Sequence, residues 1–256
     1  MNQVGKAIPH DSAIGHVTGL AHYIEDLPPL AGELWVDFAG APTASGRIVS
    51  VDFRKAASLP GVVGVYSHHD IDGVNIFGPI IVDEPFLVED EISYLGQPVV
   101  VIAAKNRRIA RLAKRLVEIE VDPESPILGI EDAIASGTYL GPHRRIQRGD
   151  LEDGFSQCDE IVEGTFHCKG QEQFYLESQA CQAIPGEMGQ LKLISSTQNP
   201  TETQAVVAEV LGLQMHQVVC ECKRMGGGFG GKETQSALPA LMVGLVAQKA
   251  GQPARI

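Results

Sequence analysis

The chain has 256 residues, 44% of them hydrophobic and 20% charged, which is the make-up of a folded protein with one large or two medium domains and excludes wholesale disorder. Its formal net charge of −12 argues against nucleic-acid binding, because phosphate contacts need a basic face. No apolar run approaches a membrane span, and MNQVGKAIPHDS at the start lacks the apolar stretch of a signal peptide, so a cytoplasmic protein is expected.

Residues 17–122 read as a mixed α/β unit. Alternating apolar runs predict strands over 33–38, 47–51, 62–66, 98–103 and 117–121. Short helices are predicted at 54–59 and 106–116, and turns at Pro60-Gly61 and Leu95-Gly96. In the second helix Ile109, Leu112, Ala113 and Leu116 share a face, and Asn106 is placed to cap it. Its basic residues, Arg107, Arg108, Arg111, Lys114 and Arg115, read as a solvated face. Residues 123–150 turn polar and rich in glycine and proline, with one short helix at 130–135. Within them 123–140 is read as a linker, and a second domain is placed at 141–256.

In that second part, alternation predicts strands over 161–168, 191–197 and 217–223. A helix should start at Asn199 as N-cap, with Pro200 in the first helical position and Glu202 in the third. Val206, Val207, Val210 and Leu211 form its apolar face, and Gly212 ends it. Residues 237–249 are almost wholly apolar, so that helix should be buried, and it is expected to need partners beyond this chain. Gly251 stops it and 252–256 begin another strand. The overall class is α+β (mixed α/β). The five cysteines show no C-x-x-C spacing and no even framework, so free thiols are expected, with Cys220 and Cys222 on one buried strand face.

The segment Arg224-Met225-Gly226-Gly227-Gly228-Phe229-Gly230-Gly231-Lys232-Glu233-Thr234 carries the most chemistry. Five of the ten residues 224–233 are glycine, which lets backbone N–H groups approach a ligand without side chains in the way. Gly226, Gly228 and Gly231 fit a dinucleotide fingerprint formally, but no acidic residue follows at the end of a next strand. Gly226, Gly231 and Lys232 fit most of a phosphate-binding loop, yet Glu233 stands where magnesium would need Ser or Thr. A plain glycine turn is the remaining alternative.

The same segment, RMGGGFGGKET, resembles the glycine loop of the xanthine dehydrogenase family of molybdenum hydroxylases. Further landmarks occur in that family's order: Val4–His10, Gly149–Phe155, Gly170–Glu177 and Ser196-Thr197-Gln198-Asn199-Pro200. The resemblance implies an α/β hammerhead domain over 17–122, followed by the first part of a molybdopterin-binding domain. It implies a molybdenum–molybdopterin cofactor without a direct protein ligand to the metal. It also implies 2Fe-2S and FAD groups on partner chains or domains, which receive electrons as a purine such as xanthine or hypoxanthine is hydroxylated with oxygen from water.

Gln198 then matches the glutamine beside the metal's oxygen ligands; its residue-level alternative is an ordinary strand-end glutamine. Gly228, Phe229, Gly230 and Gly231 match the loop against the cofactor, with the Gly230 N–H as a donor to an oxo group. Phe229 could instead be a core aromatic. Glu233 matches a glutamate that contacts purine substrates, where aldehyde-oxidising relatives carry an apolar residue. Its alternative is an acid offsetting a helix dipole. The family's general base and most pterin contacts are expected beyond residue 256, so the isolated chain is expected to be inactive. The competing class is a non-catalytic interaction module, and the competing substrates are aldehydes or other N-heterocycles.

Overall fold

The structure, a computed structural model, describes residues 4–78 and 80–256. Two compact units are present, one made of 1–124 with 173–256 and the other of 125–172. After a short helix α1 (Ala13–Thr18), the larger unit runs β1 (Leu34–Gly40), β2 (Gly46–Asp52), α2 (Arg54–Ala57) and β3 (Val62–Tyr66). Then come three two-residue strands, β4 (Ile76–Phe77), β5 (Glu84–Pro85) and β6 (Glu91–Ile92), before β7 (Pro98–Ala104), α3 (Arg107–Lys114) and β8 (Glu118–Pro123). The smaller unit holds α4 (Ile130–Ser136) and α5 (Leu151–Ser156). The larger unit resumes with β9 (Cys181–Pro185), β10 (Leu191–Ser195), α6 (Pro200–Val210), β11 (Val218–Glu221), α7 (Ala237–Ala250) and β12 (Ala254–Arg255).

One seven-stranded sheet organises the larger unit, in the order β11-β10-β9-β12-β1-β7-β3. All seven residues of β7 are buried, the near-continuous apolar run expected of a strand covered on both faces. On one face α7 packs with α6 over Leu34, Val36, Val101, Ala103, Leu191 and Leu193. On the other, Ile102 packs with Ala56 of α2 and Ala113 of α3. The three-stranded sheet β6-β2-β8 lies beside a cluster built on Ala39, Val99 and Val100.

The caps follow the sequence. The Asn106 side chain accepts from the Ile109 N–H at 2.9 Å, and that of Asn199 from Glu202 at 3.2 Å, with Pro200 at the first helical position. In α3 the buried positions are Ala110 and Ala113, while Leu112 is exposed. The small residues let the helix lie close on the sheet, which turns the bulkier Leu112 outward. The basic stripe is only partly solvated: Arg107 pairs with Glu25 and stacks on Trp35, and Lys114 pairs with Asp37 over Phe38.

Two expectations change, and one helix is new. Helix α7 does not wait for absent partners; residues 240–247 are buried within this chain, because the sheet that covers them draws strands from before and after residues 125–172. Residues 161–168 form no strand. Ile161, Val162 and Phe166 are exposed and no strand pairs with them, and alternation without a ladder partner cannot satisfy an extended backbone. The segment 170–177 is likewise irregular. Helix α5, unforeseen, starts at Asp150, whose carboxylate accepts from the Glu152 and Asp153 N–H groups.

The first and last strands of the large sheet are locked by a buried ion pair. Arg255 Nη2 lies 3.3 Å from Glu33, both side chains at most 2% exposed. Arg255 also donates to the carbonyls of Leu27 and Pro28, and Glu33 accepts from the Gln182 amide. Removing one partner strands a buried charge, so Arg255→Ala should lower unfolding free energy by about 3–5 kcal/mol in urea denaturation. A loss below about 1 kcal/mol, the range of an exposed pair, would show that the pair is solvated.

All five cysteines are free. Cys181 is fully buried; Cys220 and Cys222 are only partly so, which modifies the buried-pair expectation. Burial pushes the Cys181 thiol up, and the Cys220 thiol up to about 12. At neutral pH a thiol-specific reagent should therefore modify Cys158 and Cys168, both exposed, well before Cys181 and Cys220, as read by peptide mass mapping. Early modification of Cys181 in the folded chain would contradict this packing.

Candidate cofactor site at the glycine loop

Strand β10 ends at Ser195, three residues earlier than the reach to Gln198 and two earlier than the alternation suggested. The chain then leaves the sheet through Ser196, Thr197 and Gln198 to the cap of α6. Residues 222–236 connect β11 to α7 and fold over this exit. Gln198 joins the two segments. Its backbone N–H donates to the Lys232 carbonyl at 2.8 Å, and its side-chain Oε1 accepts from the N–H groups of Gly230 at 3.0 Å and Lys232 at 3.2 Å.

Close approach explains two of the glycines. A Cβ on Gly228 would stand 2.5 Å from Gln198 Oε1, and one on Gly226 would run into the Cβ of Glu177. Beneath the loop lies a buried hydroxyl network. Ser236 Oγ lies 2.8 Å from Thr197 Oγ1 and 3.0 Å from the Lys232 carbonyl oxygen, its single hydroxyl proton serving one of them, and Thr197 Oγ1 lies 3.1 Å from Thr203 Oγ1.

The lysine in the loop turns inward. Lys232 is fully buried; its Nζ donates to the Glu177 carbonyl at 2.6 Å and to Ser196 Oγ at 2.8 Å, and pairs with the Glu177 carboxylate at 3.4 Å over the Tyr175 ring. Glu177 Oε2 also accepts from the Gly226 N–H and the Ser196 hydroxyl. Burial holds the Lys232 ammonium below the usual lysine range, with the Glu177 charge acting in the opposite direction. Sequence reasoning missed this cluster. A lysine beside glycines and a glutamate carries no periodic signal, and its partners Glu177 and Ser196 are distant in sequence.

Of the residues singled out from the sequence, Gln198, Gly228, Gly230 and Gly231 come together. Phe229 sits at φ +50° and is 76% exposed, so it is no core aromatic. Glu233 is exposed, and among the described residues no hydrogen bond or ion pair is made by its carboxylate. It precedes the Ser236 cap of α7 by three residues, and α7 has no acid in its first turn, which removes the helix-dipole alternative. The Gly230 N–H, expected to face an oxo group, is instead taken by Gln198 Oε1. What remains on this face is the Gln198 side-chain amide Nε2, a donor without a partner among the described residues, beside Gly230, whose Cβ position (φ +95°) meets nothing within 4 Å. An open backbone cradle with an unused donor fits an oxygen-rich group carrying partial negative charge.

Two family models account for nearly the whole chain: the aldehyde oxidase and xanthine dehydrogenase a/b hammerhead domain over 18–125, and the molybdopterin cofactor-binding domain over 135–256. The chain is 38% identical over 255 residues to the xanthine dehydrogenase/oxidase of Mus musculus, and 41% identical over 253 residues to the xanthine dehydrogenase of Dictyostelium discoideum. The chain belongs to the xanthine dehydrogenase family of molybdenum hydroxylases. In both alignments 99% of this chain is covered, but only 19% and 18% of the relatives, so it spans about a fifth of their length. Among solved structures, quinoline 2-oxidoreductase from Pseudomonas putida superposes with a TM-score of 0.85 at 28% identity, covering 99% of this chain and 34% of that one. The aldehyde oxidoreductase from Desulfovibrio desulfuricans gives 0.84 at 24% identity over 98% and 30%, a likeness of fold. The family places a hammerhead domain and part of a molybdopterin cofactor-binding domain in this chain. Among the described residues no helix is long and apolar enough to cross a membrane.

The two close-approach glycines should differ in what they tolerate. Glu177 Cβ is fixed by its backbone, so Gly226→Ala should overpack the loop and cost about 1–3 kcal/mol. Gln198 Oε1 is the far end of a flexible side chain, so Gly228→Ala should only displace it, costing about 0.5–1.5 kcal/mol per lost hydrogen bond. Chemical denaturation of both variants checks the order; a larger loss at Gly228 would contradict the geometry.

Proposed function

We propose that this chain forms the glycine-loop side of the molybdenum–molybdopterin site in a hydroxylase that acts on purines of the xanthine and hypoxanthine kind. The observation that carries the reading is the Gln198 junction, which fixes a glutamine amide and an open run of backbone in one place. When bound, the cofactor supplies the two-electron chemistry that hydroxylates an electron-poor carbon with oxygen from water. The residues of this chain bind and orient. Gln198 Nε2 would donate to an oxygen of the cofactor, the backbone of Gly228, Gly230 and Gly231 would let the group approach closely, and Phe229 would wall the site. Glu233, exposed and unpaired among the described residues, meets ring nitrogens of the substrate.

The general base and the remaining pterin contacts are assigned to other segments of the whole protein, which makes this chain inactive by itself. 2Fe-2S and FAD groups on partner chains or domains would take up the electrons. The residues 17–122 serve as the hammerhead domain, 123–140 as the linker and 141–256 as part of the cofactor domain, in a cytoplasmic enzyme.

The substrate class is the part most open to measurement. As a purine is attacked, charge builds on its ring nitrogens, and a carboxyl group can answer it; an aldehyde has no equivalent distal atom. One charge-assisted hydrogen bond contributes about 1.5–3 kcal/mol. In the whole protein, Glu233→Val should therefore lower xanthine turnover on the order of 10–100-fold relative to aldehyde turnover. An unchanged ratio would remove Glu233 from the substrate site and with it the preference for a purine.

A further inference from the structure

Among the described residues, Lys232 is the one residue of the loop whose backbone and side chain both reach the other segments of the site. Its N–H and C=O both bond to Gln198, and its carbonyl oxygen also lies 3.0 Å from Ser236 Oγ. Its ammonium, fully buried, gathers the Glu177 carbonyl, the Glu177 carboxylate and Ser196 Oγ, and lies 4.6 Å from the centre of the Tyr175 ring. Glu177 in turn accepts from the Gly226 N–H at 2.7 Å, so the start and the end of the glycine run are tied to the same charge pair. Ser196, two residues before Gln198, closes the ring of contacts.

We propose that Lys232 is a positioning residue whose buried ammonium, through Glu177 and Ser196, holds the glycine loop so that Gln198 presents its side-chain Nε2 toward the cofactor. Two features distinguish this arrangement from ordinary packing. Every hydrogen-bond contact of the ammonium is to a group that flanks the loop or Gln198, and none is to the apolar core under α7. The loop itself is rich in glycine and so has little stiffness of its own; with side chains missing at five of its positions, a fixed geometry must be imposed from outside. A charge buried among three oxygen acceptors is a stiff anchor, because each alternative position leaves it unsolvated.

The inference rests on the proposed cofactor site, and the experiment separates the two. In the 256-residue chain without cofactor, amide hydrogen exchange at Gly230 reports its bond to Gln198 Oε1, while Val101 and Leu245 report the core. Lys232→Met should speed exchange at Gly230 on the order of 10-fold or more, with core amides changed by much less. Ser196→Ala removes one partner of the ammonium without stranding a charge; it should shift Gly230 in the same direction by a smaller factor. In the whole protein, Lys232→Met should lower kcat on the order of 10-fold while KM for the substrate changes by less than about 2-fold. Exchange that rises equally at Gly230 and in the core, or stays unchanged at Gly230 in both variants, overturns the positioning role. Faster exchange at Gly230 with unaltered kcat in the whole protein leaves the anchor standing and refutes the cofactor reading instead.

Discussion

Gln198 and Lys232 are bonded in both directions, backbone to backbone and backbone to side chain, across the junction between the exit of β10 and the loop before α7. These two segments are 34 residues apart in sequence and belong to different crossovers of the same sheet. Their register is set below the junction, by the parallel pairing of β10 with β11 and by the packing of α6 and α7 on one face. Above the sheet, hydroxyls and the Lys232–Glu177 pair satisfy Thr197, Ser236 and Lys232, while Ser195 Oγ and Arg224 Nε are buried without a partner among the described residues. Buried polar networks of this kind either satisfy all their members or cost the fold dearly.

The sheet also explains how a loop so poor in side chains can be placed. Strands β1, β7 and β3 come from before residues 125–172, and β9 to β12 from after them, yet they share one core with α7. The Glu33–Arg255 pair closes the seam between β1 and β12 with both charges out of water. A shared core and a locked seam give the site a rigid base, which is what orientation of a bound cofactor demands.

The sequence shows much of this where local physics decides. Alternation locates β1, β3 and β10, the caps at Asn106 and Asn199 locate α3 and α6, and the continuous apolar run announces a buried α7. It misleads where pairing decides. The alternation of 161–168 is as good as that of β10, but it has no neighbouring strand, whereas Cys181–Pro185, whose CQAIP run does not alternate cleanly and ends in proline, pairs on both sides. In the site, the RMGGGFGGKET and STQNP stretches are legible as motifs. The inward turn of Lys232 is not, because it depends on Glu177 and Ser196, which are 55 and 36 residues away.

The central claim is that Gln198, held by the glycine loop, presents its amide donor to the molybdenum cofactor. Electron paramagnetic resonance of the partly reduced whole protein tests this most directly, comparing the Mo(V) signal of the unaltered enzyme with that of Gln198→Ala at equal molybdenum content. The account predicts a shifted signal, because a hydrogen bond from a protein amide to an oxygen at the metal alters the ligand field. Superimposable signals in the two proteins would contradict it.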